Sequence, residues 1–262
     1  MTVEPSTTTL PPAARFFPQR PYNPGAALCF VHVAKAAGTS VRMMMENAFS
    51  GDQTYHAASR LAKGAYSKPQ RAKEAGDNFR QFRVLSAHAG AEIGTLLDSD
   101  SNLFTWLREP VDRVISAFFF FVVQERQSAN TPYVSRLDTG ERVESVFIDW
   151  LMRPGADSHS QRAQLVYGMP ANGADWRESN PGADITEAAL DALGQCFFVG
   201  LMEDQNRSLD ALCAITSILP PQRSERRNAG YNRPERLQFT PEEQAKFDQI
   251  LAPDRAFYAL AR

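Results

Sequence analysis

Four short runs along the chain, residues 27–33, 82–88, 102–108 and 196–202, are dominated by apolar, β-branched and aromatic side chains and are too short for ordinary helices. They read as strands. Segments of helical composition lie between and after them: 41–49, 114–123, 142–153, 160–168, 186–194, 204–218 and 240–261. Pro110 suits the first turn of the helix that runs through the apolar stretch VISAFFFFVV, because the N–H it lacks has no partner there anyway. The start at Thr240-Pro241-Glu242-Glu243 combines an N-cap, a proline at the first helical position and acidic residues beside the positive end of the helix dipole. Residues 51–78, polar and lysine-rich, read as a surface excursion, and 127–141, with Pro, Gly and Ser, as a loop. Apolar strands alternating with helices predict a three-layer α/β/α fold whose central, mostly parallel sheet is covered on both faces. In such a fold the ligand crevice lies at the carboxyl ends of the strands. Three polar features fall there: the loop around Lys35, His88 and Arg108.

Composition narrows the picture without redirecting it. The 262 residues are 43% hydrophobic and 22% charged with a net charge of -2, so the chain buries a sizeable core and carries no global basic field for nucleic acid or an anionic membrane. Residues 1–25 hold six prolines together with Ser and Thr and read as an arm, leaving a single domain over 26–262. Cys29, Cys196 and Cys213 each sit in an apolar run, which fits buried reduced thiols better than a disulfide framework. No run approaches the roughly 18 apolar residues of a membrane span, and the first residues lack the order of a secretion signal, so a cytoplasmic protein without stable membrane insertion is expected. Oligomeric state is not legible.

The strand at 27–33 empties into VAKAAGTS and then a helix, an arrangement whose unpaired N–H groups and dipole attract phosphate or sulfate. Gly38 permits close backbone approach, Thr39 and Ser40 add hydroxyl donors, and Lys35 adds a charge. The order differs from GxxxxGK[ST], since Lys35 precedes the glycine. Read alone, the heptapeptide AKAAGTS is equally a turn with an N-cap. The segment REPVDRVISAF offers a second anion site, with Arg108 at a strand end and Ser116 on the following helix, three residues after Arg113. Read alone, it is a salt-bridged helix start, with Arg108 or Arg113 against Glu109 or Asp112.

Together the two segments resemble the PAPS-dependent sulfotransferases, in particular the carbohydrate branch that includes heparan sulfate 2-O-sulfotransferase. There a PKxGGTS loop binds the 5′-phosphosulfate of 3′-phosphoadenosine 5′-phosphosulfate (PAPS), and an R[DE]PxxRxxSxx[FY] motif binds its 3′-phosphate. Ala34 stands here where the family usually has proline, and Ala37 where it often has glycine. The resemblance runs from about residue 27 to the end and implies a P-loop nucleotide-hydrolase-like fold.

What it implies about roles follows residue by residue. Lys35 meets the leaving phosphate, while the backbone of Ala36, Ala37, Gly38, Thr39 and Ser40, with the last two hydroxyls, holds the phosphosulfate. Arg108 and Ser116 take the 3′-phosphate. PAPS is the expected donor, PAP the product, and no metal is expected. The acceptor is a hydroxyl of a sugar or small metabolite, and its base is His88, as in the 2-O-sulfotransferases, with Glu92 in reserve. His159, Gln161 and Arg162 lie where relatives often have an Asn-x-Gln pattern near the acceptor, though solvated helix residues would read the same. In the late arginine-rich stretch, Arg226, Arg227 and Asn228 are placed to close over PAPS, unless the cluster receives an anionic acceptor or is a solvated face. Two other readings remain: a nucleotide-dependent kinase of related fold, and a nucleotide-binding module without transfer activity.

Overall fold

A computed structural model describes residues 20–57, 82–91, 93, 101–124, 126, 131–153, 159–168, 173–219 and 237–262. Its centre is a five-stranded sheet of β1 (Leu28–Val31), β2 (Thr54–Ala57), β3 (Val84–Ala87), β4 (Asn102–Leu107) and β5 (Phe198–Leu201), in the order β2-β3-β1-β4-β5. All four pairings are parallel. Every residue of β1, β3, β4 and β5 is buried, so side chains on both faces are covered. That is why these strands are unbroken apolar runs in the sequence and not alternating ones.

The register places the strand ends together. Val31 is opposite Ala87 on one side and Thr105 on the other. The chain leaves β1 for β2, returns to β3, then crosses to β4, so the connections diverge around β1. A crevice at the carboxyl ends follows from this topology.

Helix α1 (Gly38–Ala48) follows β1, and α2 (Pro110–Phe118) follows β4. Next come α3 (Thr131–Asp138), α4 (Val143–Met152), α5 (Gln161–Tyr167), α6 (Gly173–Ser179) and α7 (Ile185–Gln195). After β5 come α8 (Gln205–Thr216) and α9 (Pro241–Ala261). Helix α9 starts with a full capping box, in which Glu243 N–H donates to Thr240 Oγ1 at 3.2 Å and Thr240 N–H donates to Glu243 Oε2 at 2.8 Å. It spans two apolar clusters. Phe257, Tyr258 and Ala261 join the core around the sheet, whereas Phe247 and Leu251 pack with Phe118, Phe147 and Trp150 of α2 and α4.

Several segments differ from expectation, among them α6, which falls where no element was expected. Strand β2 lies within the supposed surface excursion, α3 lies within the supposed loop at 127–141, and α2 passes into a π-helical turn at Phe119–Gln124. Such turns widen the backbone ladder by one residue and often stand beside functional sites. Here the turn presents half-buried Phe119, Phe120 and Phe121.

Candidate active site

The loop after β1 is wound tightly. Lys35 and Ala37 both have positive φ, 67° and 59°, a left-handed conformation that costs a residue with a Cβ roughly 1–2 kcal/mol. Glycine would relax the second position. Gly38 opens α1, and a Cβ there would stand 1.6 Å from His32 Nε2, so only glycine fits while the imidazole packs against it. Ala37 caps the helix without a side-chain hydrogen bond, and the first turn carries no acidic residue. Of the five backbone donors expected to cradle an anion, Ala36 N–H is turned to Val33 O at 3.3 Å and Ser40 N–H to Ala37 O at 3.0 Å. Thr39 is exposed and Ser40 half-buried.

Arg108 reaches this loop directly, donating from Nη1 to Lys35 O at 3.4 Å. Its side chain is 18% exposed and stands 4.0 Å from Asp112. A salt-bridged helix start is therefore only loosely present. Glu109 caps α2 instead, its Oε2 accepting from Asp112 N–H at 2.8 Å. Lys35 Nζ lies 3.9 Å from the centre of the Phe120 ring, so the π-helical turn supplies an aromatic face to the ammonium. Ser116 is half-buried on α2, one turn beyond the buried Arg113.

His88 stands one residue past β3. Its Nδ1 is 2.9 Å from His32 O, and because a carbonyl only accepts, Nδ1 carries the proton and Nε2 keeps its lone pair. The ring stacks on His32 with centres 3.9 Å apart. Burial pushes the His88 pKa below its ordinary value of 6.5, and the bond to His32 O only partly opposes this. A neutral imidazole with a bare Nε2 has the protonation state of a general base.

One short helix holds all three strand ends. Gln161 Oε1 accepts from Arg108 N–H at 2.8 Å and its Nε2 donates to Arg108 O at 2.6 Å, while Gln164 Oε1 accepts from Ala34 N–H at 2.7 Å. Ala91 N–H donates to Leu165 O at 2.7 Å, and a Cβ on Gly90 would lie 1.8 Å from Val166 O. The helix is fixed in turn from behind: Asp254 of α9 accepts from Gln161 N–H at 2.8 Å and from Arg162 Nε at 2.9 Å, and Arg162 Nη1 donates to Thr186 Oγ1 at 2.7 Å. Gln161 is fully buried, and Arg162 is committed to Asp254 and Thr186, so neither is a solvated helix residue. His159 is also interior, its ring centre 4.1 Å from that of Trp150 and its Nε2 against Arg153, and burial beside Arg153 and Arg113 holds its pKa well below 6.5. Glu92, Arg226, Arg227 and Asn228 lie outside the described residues.

Gln164, Phe120 and Asp254 shape the site without any signal of that role in the sequence. Glu203 belongs with them, since its Oε1 accepts from Glu109 N–H at 2.7 Å and its Oε2 from Tyr258 O–H, tying the Arg108 turn to α9. The Gln161 clamp carries a testable cost. Gln161→Ala leaves both Arg108 backbone groups without their partner, and each stranded group costs about 1–3 kcal/mol. A lower urea midpoint with an unchanged m-value is the expected reading.

Comparison with known proteins bears on the whole assembly. A family model described as "Sulfotransferase family" matches residues 22–242. No curated protein matches the chain. Among solved structures, a sulfotransferase from Alicyclobacillus acidocaldarius is similar over 90% of this chain and 95% of its own, at 17% sequence identity and a TM-score of 0.43. The family match takes in β1 through β5 and every described site residue except Asp254 and Tyr258. By that match, the chain belongs to the sulfotransferase family.

Proposed function

We propose that the protein transfers the sulfuryl group of PAPS to a hydroxyl of a carbohydrate or small-metabolite acceptor. The observation that carries this reading is the Arg108 contact with the Lys35 carbonyl, at 3.4 Å, which brings the two anion-binding segments into one crevice. A donor with a 5′-phosphosulfate and a 3′-phosphate needs two anion sites at a fixed separation. The chain's own chemistry fits such a molecule: Ala37 and Gly38 N–H groups at a helix start without acidic neighbours, the Lys35 ammonium, and guanidinium groups at the start of α2. PAPS supplies an activated sulfuryl group on a phosphate leaving group.

The residues divide the work by position. Lys35 neutralises the bridging oxygen as its bond to sulfur breaks, and the loop donors hold the phosphosulfate. Arg108 and Ser116 take the 3′-phosphate. His88 accepts the acceptor's proton on Nε2 while the new O–S bond forms, so charge is conserved with PAP and a protonated imidazole as products. Arg226, Arg227 and Asn228 are assigned to the nucleotide by the family resemblance alone. The buried thiols of Cys29, Cys196 and Cys213 support a reducing, cytoplasmic setting. Among the described residues no helix is long and apolar enough to cross a membrane.

Ligand-dependent melting tests the reading. PAP at a hundredfold excess over its Kd stabilises the fold by about 2.7 kcal/mol, and ATP with magnesium gives a clearly smaller shift. Equal or greater stabilisation by ATP with magnesium favours the kinase reading and sinks this one. Release of labelled sulfate from PAPS onto sugar and metabolite hydroxyls then separates an enzyme from a binding module.

A further inference from the structure

His32 lies outside both anion-binding segments, yet its side chain meets the donor loop on one side and the base on another. It stands one residue past β1, where its N–H still donates to Ala87 O at 2.9 Å. Its half-buried ring shares a sheet face with Phe30, with centres 5.1 Å apart and planes 16° from parallel. The same ring stacks on His88, with centres 3.9 Å apart and planes 27° from parallel. Its far edge abuts the start of α1: a Cβ on Gly38 would meet Nε2, Cε1 and Cδ2 at 1.6, 2.2 and 2.4 Å. The imidazole thus fills the gap between the first residue of α1 and the His88 ring. These contacts matter because of what a hydrogen bond leaves free. The bond from His88 Nδ1 to His32 O fixes one atom of the ring, which can still turn about that line, whereas a flat surface at stacking distance fixes its plane. The lone pair on Nε2 lies in that plane, so the stack sets its direction.

We propose that His32 is a positioning residue, a rigid spacer that sets the aim of the His88 lone pair relative to the phosphosulfate loop. The inference rests on the PAPS reading with His88 as the base. In-line transfer needs the acceptor oxygen, the sulfur and the leaving oxygen on one line, with the base within hydrogen-bond reach of the acceptor. A misplacement of about 1 Å costs on the order of a hundredfold in rate. One ring packed against both Gly38 and His88 ties those two positions together. It moves no proton itself, and its part is shape.

Carbon-13 relaxation on the full, histidine-labelled chain saturated with PAP reads the His88 ring without needing an acceptor. In wild type the Cε1–H order parameter lies in the rigid range, about 0.85, and in His32→Leu, close in volume but without a flat face, it drops below about 0.6. With labelled PAPS and the sugar or metabolite hydroxyl that takes label fastest from wild type, His32→Leu lowers kcat by about tenfold to a hundredfold. Affinity for PAP falls far less, because Lys35, the loop N–H groups and Arg108 remain. His32→Gln, which keeps a polar amide but no ring, loses as much as His32→Leu. In a His88→Asn background neither replacement lowers kcat further, since the lone pair they misdirect is already gone. The proposal is overturned by a His88 ring as rigid in His32→Leu as in wild type, by equal losses of kcat and PAP affinity, by full kcat in His32→Gln, or by losses that add to that of His88→Asn. Failure of both variants to fold overturns it too, since that makes His32 a structural residue. An unchanged rate in His88→Asn instead removes His88 as the base, and a wild type that moves no label from PAPS overturns the PAPS reading itself.

Discussion

Replacing Lys35 with alanine lowers kcat for sulfuryl transfer by on the order of 10²–10³, the loss typical of removing one group aimed at developing charge. Negative charge grows on the bridging oxygen as the sulfur–oxygen bond breaks, and no other ammonium stands in the described part of the crevice to meet it. PAP affinity falls much less, because the loop N–H groups and Arg108 remain. The split between kcat and Kd is the diagnostic: comparable losses in both would assign Lys35 to uniform binding. The Phe120 face under Nζ, 3.9 Å away, keeps the ammonium over the π-helical turn.

His88→Ala lowers kcat/KM by about 10²–10⁴, the usual contribution of a positioned general base. His88→Asn keeps a donor for His32 O and removes the lone pair, so it loses activity while preserving the fold. The pH dependence has a definite sign. A base must be neutral, and burial holds the His88 pKa below 6.5, so activity is retained from neutral pH down past 6.5 and falls with an acidic limb below that value. Stability moves the same way. His88 and His159 both have depressed folded pKa values, so the unfolded chain binds more protons as pH drops from about 6.5 towards each folded pKa. The stability present above that window is lost through it. Measuring kcat/KM alongside circular dichroism separates the catalytic limb from unfolding, and an acidic limb that persists in His88→Asn would reassign the base.

The strands that build the crevice were readable because they are covered on both faces. Cys29, Phe30 and Val31, or Phe104 and Trp106, can only sit in a doubly buried strand or a buried helix, and the runs are too short for the latter. Strand β2 lacked that signal: it is four residues at the sheet edge, preceded by the exposed turn residues Gly51 to Gln53. Helix α3 buries no residue fully: its apolar face is only Tyr133, Val134 and Leu137, half-buried against the Phe118–Phe147 cluster and too short to stand out in sequence, and Arg136 bonds to Glu141 and to Asp149 of α4. The π-helical turn falls in FFFFVV, a run with no period from which to read a change of pitch.

At the site, the same divide separates strand ends from their supports. His88 and Arg108 could be placed because each follows directly on a strand, and Lys35 because it sits in the loop between β1 and α1. Gln164 reaches across 130 positions to Ala34, and Gln161 across 53 to Arg108, distances over which spacing carries no information. Arg113 was misleading in another way. Next to Glu109 and Asp112 in sequence it suggested an ion pair, yet the helix turns it inward, away from both, into a packed interior.

The clamp formed by Gln161 and Gln164 has a bearing on how the crevice tolerates ionic strength. Amides grip Ala34 and the Arg108 backbone without carrying charge, so salt that screens the anion sites leaves the scaffold of those sites untouched. A glutamate at position 161 would have kept the bond from Arg108 N–H but lost the one to Arg108 O, and would have set a negative charge beside the Arg108 turn. Neutral fasteners keep the positive field for the visitor, and they let nucleotide binding vary with salt while the shape that receives it does not.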